Sequence, residues 1–278
     1  MANYTTADIK ALREQTAAGM LDVKKALDEA DGDRAKAVEI LRVKGLKGVT
    51  KREGRSASNG LVAAQVDGGT GTLVEVNCET DFVAKGETFQ ALAARVLDAA
   101  VTTGAEDTSS LLAAQVDGRP LQDVLDETGA TIGEKVEVRR VARVQGGHVA
   151  SYLHRTSPDL PPQIGVLVGL DSAGEDADAV AKDVAMHVAA LSPTVLSREE
   201  VADEVVHAER RIAEETAREE GKPEQALPRI IEGRVNGYFK ENVLLEQAFA
   251  KDPKRNVEQV LKEAGVGITG FARFRVGA

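Results

Sequence analysis

The sequence predicts an α+β fold with three parts. They are a small helical module at the N-terminus, a core built from two copies of one strand–turn–strand–helix unit, and an inserted antiparallel helical hairpin. Three observations predict it. "GLVAAQV" at 60–66 is echoed by "GHVASYL" at 147–153, and in each copy a second apolar run and an alanine-rich helix follow. The first forty-odd residues place apolar side chains at helical spacing between turn signals. Residues 197–242 are dense in charge and carry only narrow apolar stripes.

Composition narrows the function classes. Of the 278 residues, 42% are hydrophobic and 3% aromatic, so the core is aliphatic and sugar-stacking rings are scarce. The length suits one large domain or a few small ones. Residues 1–55 hold 12 Lys/Arg against 9 Asp/Glu, a charge of +3, so with a net charge of −10 the rest of the chain carries −13. An acidic body argues against general phosphate-backbone binding. The basic run "RVKGLKGVTKREGR" at 42–55 reads as a solvated linker or as a contact for an acidic partner. One cysteine excludes an intramolecular disulfide framework and fits a reducing compartment. No apolar run nears the ~18 residues of a membrane span, and "MANYTTADIK" has no secretory pattern. A soluble cytoplasmic protein is expected.

The elements follow in order. Thr5 and Asp8 match a capping box ahead of Ile9 and Leu12. Gly19 is expected to break the first helix. Met20, Val23, Leu27 and Ala30 then recur at helical spacing. Asp31-Gly32-Asp33 is a turn, and Asp33 caps a third helix through Ala37, Ile40 and Leu41, which Gly45 and Gly48 end. A linker through Lys51–Arg55 follows. In the first repeat, "GLVAAQV" and "TLVEVNC" (72–78) form a hairpin around Gly68-Gly69-Thr70-Gly71, before the helix "FQALAARVLDAAV" at 89–101. The second repeat has "IGVLVGL" at 164–170, "AVAKDVAMHVAAL" at 179–191 and a long loop with three prolines, Pro158 to Pro162. A hairpin and a helix bury one apolar face between them, giving a two-layer unit. Between the copies, 133–144 alternates like a strand.

Beyond the repeats, Ser197 and Glu200 suggest a second capping box. Val201, Val205, Ala208 and Ile212 form one seam of the hairpin, and Ile230, Ile231, Val235 and Tyr238 begin the other. Gly221-Lys222-Pro223 is the turn. Pro228 starts or kinks the second helix. The tail yields a short helix from Asn256 and a last strand with Phe271 and Phe274 on one face. The boundaries read as 1–55 for the module and linker, 56–145 and 146–196 for the core units, 197–242 for the hairpin, and 243–278 for completion of the second unit.

The stretch "NCETDFVAKGETFQ" at 77–90 concentrates the candidate chemistry. Cys78 as a nucleophile needs a histidine base, and none of the four histidines stands in a motif with it. Glu79 and Asp81 as paired carboxylates, with Cys78, would make a hydrolase, yet such pairs come from different elements facing a pocket. Zinc-ligand spacing, a Walker loop and a dinucleotide fingerprint are all missing, so no metal or cofactor is expected. Thr80 or Asp81 can end a strand and cap a helical turn, with Phe82 and Val83 in the core. The same corner can instead present Phe82 outward as a probe for a partner pocket. His154 at a strand end and Met20 at a helix start pose the same choice. A structural RNA-associated protein would need a basic face with exposed aromatics.

The chain resembles the bacterial elongation factor Ts family over nearly its whole length. The matching stretches are "LREQTAAGMLDVKKALDEADGD", "LVEVNCETDFVAKGETF", "AMHVAA", "GKPEQ" with "IIEGRVNGYFKE", and "ITGFARFRVG", in that order. The resemblance implies a nucleotide-exchange factor, not an enzyme, that binds elongation factor Tu in its GDP-bound and nucleotide-free forms and binds no nucleic acid directly. It implies that residues 1 to about 55 form a ubiquitin-associated-like (UBA-like) module, followed by duplicated core subdomains and a coiled-coil hairpin. Thr80, Asp81, Phe82 and Val83 match the motif linked to displacing the partner's Mg2+. Met20 and His154 match partner-contacting positions. The hairpin is a candidate for either homodimerisation or partner binding. Two departures stand out: Pro228 interrupts a stretch that is usually helical in the family, and the Pro158–Pro162 loop is longer than in many relatives.

Overall fold

A computed structural model of the protein describes residues 3–16, 18, 20–52, 54–174 and 176–278, the side chains of 14, 15, 42 and 45–52 excepted. Helices α1 (Thr6–Thr16), α2 (Met20–Glu29) and α3 (Arg34–Arg52) pack around Leu12, Val23, Leu27 and Ala37. The Thr5–Asp8 capping box forms in both directions, Thr5 N–H to Asp8 Oδ2 at 2.8 Å and Asp8 N–H to Thr5 Oγ1 at 3.3 Å. Asp33 caps α3 through the Lys36 N–H at 3.1 Å. The break expected at Gly19 lies outside the described residues. The expected stop at Gly45 and Gly48 does not occur, since α3 continues to Arg52 and shortens the linker. A helical glycine costs only about 1 kcal/mol relative to alanine, and α3 is packed against the core helix at Leu121–Ile132.

The core begins with β1 (Asn59–Asp67) and β2 (Thr70–Cys78), joined by the two-residue turn Gly68-Gly69 with Gly68 at φ +55°. Then come α4 (Asp81–Lys85), α5 (Glu87–Thr103), α6 (Thr108–Ala113), the small ladder β3 (Gln115–Val116) and β4 (Arg119–Pro120), α7 (Leu121–Ile132) and β5 (Val136–Gln145). Strand β5 is the alternating stretch between the repeats, and it adds to β2, giving the order β1-β2-β5. The second copy supplies β6 (His148–His154), β7 (Ile164–Leu170) and α8 (Ala177–Leu191). After α9 (Asp203–Glu219), α10 (Leu227–Asn242), β8 (Ala248–Phe249), β9 (Asp252–Asn256) and α11 (Val257–Glu263), β10 (Ile268–Arg275) returns to pair with β7. The duplication therefore extends to a third strand in each sheet.

The two sheets stack face to face, with helices on both outer sides. Along β2, Val74, Val76 and Cys78 meet Phe89, Leu92 and Val96 of α5 and Leu121 and Leu125 of α7. On the opposite face Leu73 joins Val62, Val144, Leu167 and Phe274 between the sheets. Strand β7 does the same, sending Val166, Val168 and Leu170 to Val184 and Val188 of α8. Central strands covered on both faces explain why "TLVEVNC" and "IGVLVGL" are nearly continuous apolar runs. Gly165 lets the sheets touch, because a Cβ there would stand 2.7 Å from Leu73. Glu75 is buried in this layer beside the Arg140 Nε at 2.7 Å, and Arg140 covers the Phe274 ring. Phe271 and Phe274 do not share a face: Phe274 lies between the sheets, and Phe271 packs against the α8 side. Their odd separation in an alternating strand requires this.

In the hairpin α9–α10 the expected seam holds at Val201 and, on α10, at Ile231, Val235 and Tyr238, and departs along α9. Val205 and Ile212 are exposed, while Val206, Ala213 and Ala217 face inward. The buried face lies one position round the helix, where small alanines let α10 approach. Val235 and Phe239 supply the α10 side. Pro228 falls in the first turn of α10, where its missing N–H has no helical partner to lose. Ser197 forms no capping box. Glu200 instead accepts the Leu196 N–H at 2.9 Å, and α9 starts later, at Asp203.

Candidate functional site

The corner between β2 and α5 is built from few residues. Strand β2 ends at Cys78, and α4 is a single five-residue turn that leads through Gly86 directly into α5. Thr80 is its N-cap, its hydroxyl accepting from the Val83 N–H at 3.4 Å. The Gly86 N–H closes the turn on the Val83 carbonyl at 2.9 Å. Ala84 is buried against the core and Val83 packs at its margin. Phe82 points the other way and is 81% exposed. The two readings of the corner are thus divided between its residues: Thr80 caps, Val83 and Ala84 anchor, and Phe82 projects.

The carboxylates of the corner are engaged differently. Asp81 pairs with Lys85 at 2.9 Å, and this lysine lies 5.9 Å from the Phe82 ring centre. The Lys85 hydrogen bond holds the Asp81 carboxyl below its ordinary range. Glu79 Oε1 accepts the Lys135 N–H at 2.6 Å, and the Arg55 guanidinium lies 3.3 Å away. The sequence reading missed Glu134. Its Oε2 accepts the N–H groups of Glu79 and Thr80, both at 3.0 Å, and its Oε1 accepts the Thr80 hydroxyl at 2.6 Å. Residue 134 lies within the alternating stretch 133–144, and its place beside residues 79 and 80 comes only from the pairing of Val136 with Cys78.

Cys78 is fully buried, its Sγ 3.2 Å from the Thr80 carbonyl, and burial followed by the Glu134 charge pushes the thiol up to about 12. Among the described residues no histidine bonds to it: His148 faces Asp178, His154 meets Tyr152, His187 meets Gln247, and His207 lies on α9. A protonated, sealed thiol is no nucleophile, so the arrangement does not serve the hydrolase reading. Among the described residues no group of three or more His, Cys, Asp or Glu side chains could hold a metal. A cleft of about 510 Å³ lies between residues 192–196 and β10, and none of the candidate residues lines it.

The other two candidates sit on separate elements. Met20 opens α2 and is 58% exposed beside exposed Leu21, so it leaves the helical core its spacing had suggested. His154 ends β6, exposed, with its Nδ1 3.2 Å from the Tyr152 hydroxyl. The proline loop after it is tied down, with the Gln163 N–H on the His154 carbonyl and the Val62 N–H on the Pro162 carbonyl, each at 2.9 Å. Among the described residues no hydrogen bond or ion pair joins Met20 or His154 to the corner.

The corner thus turns one aromatic ring to solvent from a capped turn on an α+β body. Comparison with known proteins identifies the lineage. Residues 79–278 match the family model described as "Elongation factor TS". Over the whole length of both chains, the sequence is 64% identical to elongation factor Ts of Micrococcus luteus and 63% identical to that of Arthrobacter sp. (strain FB24). The chain belongs to the elongation factor Ts family, and so to the elongation factors of protein biosynthesis. No described helix is long and apolar enough to cross a membrane.

Proposed function

We propose that this chain is a guanine-nucleotide exchange factor, acting in the cytoplasm on elongation factor Tu without breaking any bond in a substrate. The observation that carries the reading is the Phe82 ring, projected from a corner in which Thr80 caps the turn, Asp81 pairs with Lys85, and Val83 and Ala84 pack against the core. In a GTPase, Mg2+ bridges the nucleotide phosphates to the protein and neutralises their charge. Phe82 wedged between partner helices displaces the segment that holds this ion. Asp81 supplies charge and hydrogen bonds to that segment, and Thr80 and Val83 hold the wedge in place. Weakened metal contacts speed GDP release. Coupling is reciprocal, so GDP must weaken the complex by the same factor, and incoming GTP helps expel the exchange factor.

Met20 with Leu21 on α2, and His154 at the end of β6, supply further partner contacts in this reading. The chain divides into a module at 1–55, core subdomains at 56–145 and 146–196 with 243–278, and a hairpin at 197–242. The test is stopped-flow release of a fluorescent GDP from purified elongation factor Tu, with and without this protein. Wild type should accelerate release and Phe82→Ala should lose most of the acceleration while staying folded. Release unaffected by the wild-type chain would end the proposal.

A further inference from the structure

Helix α4 is only five residues long, too short to hold its own geometry in water. Its orientation, and hence the direction of the Phe82 ring, must be imposed from outside. Ala84 and Val83 fix one side by burial. The entry to the turn is fixed by a residue fifty-odd positions away. Gly133 ends α7 in the left-handed region at φ +87°, and the chain then runs through Glu134 into β5, whose Val136 is registered opposite Cys78. That register sets Glu134 beside residues 79 and 80.

There its carboxylate takes three hydrogen bonds, two from backbone N–H groups and one from the Thr80 hydroxyl. Having donated its proton to Glu134, the Thr80 oxygen keeps its lone pairs for the Val83 N–H. Glu79 returns the arrangement by accepting the Lys135 N–H. Two carboxylates thus exchange backbone contacts between the 79–80 and 134–135 segments. We propose that Glu134 is a positioning residue for nucleotide exchange, holding the 79–80 backbone and the Thr80 hydroxyl so that Phe82 projects in one direction. This rests on the exchange reading above.

The test uses the full chain and elongation factor Tu loaded with fluorescent GDP. Glu134→Ala should lower the maximal release rate roughly ten- to a hundredfold, the size of loss that misplacing a working group brings, with a smaller change in the half-saturating concentration. Glu134→Gln should restore most of it, because the amide oxygen can still accept both N–H groups and the NH2 can donate to Thr80. In a Phe82→Ala background, Glu134→Ala should cost nothing more, since there is no ring left to aim. Amide exchange at Glu79 and Thr80 should speed up in Glu134→Ala while β1 and β2 stay protected. Should Glu134→Ala fail to fold, Thr80→Val carries the same cycle. Glu134→Ala at the wild-type rate, a further loss on top of Phe82→Ala, or Gln no better than Ala would each overturn the inference. Failure of the wild-type chain to accelerate release would instead remove the exchange reading, and this inference with it. A difference between wild type and Phe82→Ala with Glu134→Ala unaltered removes the Glu134 role alone.

Discussion

The Lys85 ammonium lies 2.9 Å from the Asp81 carboxylate, one turn along α4. The pair fixes the charge beside the exposed ring and lowers the Asp81 pKa from its ordinary 3.8. A depressed carboxyl pKa means the pair contributes above 3.8 and is lost as pH falls through the folded value. Lys85→Met should move the Asp81 pKa upward, as read by carboxyl-carbon NMR titration. An unmoved titration would show that the pair does not form in solution.

Two phenylalanines seven residues apart should behave oppositely. Phe82 is exposed and Phe89 is buried in the first core cluster. Phe82→Ala should shift unfolding stability by no more than about 0.5 kcal/mol, as at ordinary surface sites. Phe89→Ala should cost about 3–5 kcal/mol. Urea unfolding of both variants checks this. A large loss in Phe82→Ala would return that ring to the core.

Sheet contact makes Gly165 irreplaceable in a way that a helical glycine is not. Its Cβ would meet Leu73 and Val62 across the interface, whereas Gly237 in α10 has nothing within 4 Å. Gly165→Ala should destabilise by about 1–3 kcal/mol through overpacking. Gly237→Ala should stabilise by about 0.5–1 kcal/mol through lower unfolded-state entropy. Thermal and urea unfolding should show shifts of opposite sign.

His187 should give the fold a pH sensitivity. It is buried, its Nδ1 accepts the Ala250 N–H at 3.1 Å, and its Nε2 meets Gln247 Oε1 at 2.8 Å. That leaves the proton on Nε2. Burial lowers its pKa from 6.5. A depressed histidine pKa means the neutral form is the folded one, so its contribution is complete above 6.5 and is lost as pH falls toward the folded value. His187→Gln should be less stable at neutral pH and show a shallower decline between pH 7 and 5. An identical slope in both proteins would assign the decline elsewhere.

What the sequence determined by itself was local. The Thr5–Asp8 and Asp33 caps, the Gly68-Gly69 turn, the Pro228 helix start and the repeated hairpin–helix unit depend on residues a few positions apart, and their periods are written in the chain. Tertiary structure decided the rest. Which side of α9 is buried depends on where alanines meet α10, so Val205 and Ile212 turned outward despite a plausible stripe. The stacking of the two sheets and the passage of α3 through two glycines follow from packing. The candidate site shows both halves. Thr80 as a cap is legible from its neighbours, but the Glu134 bonds join residues 54 and 55 apart, and no local period encodes a partner brought in by strand register.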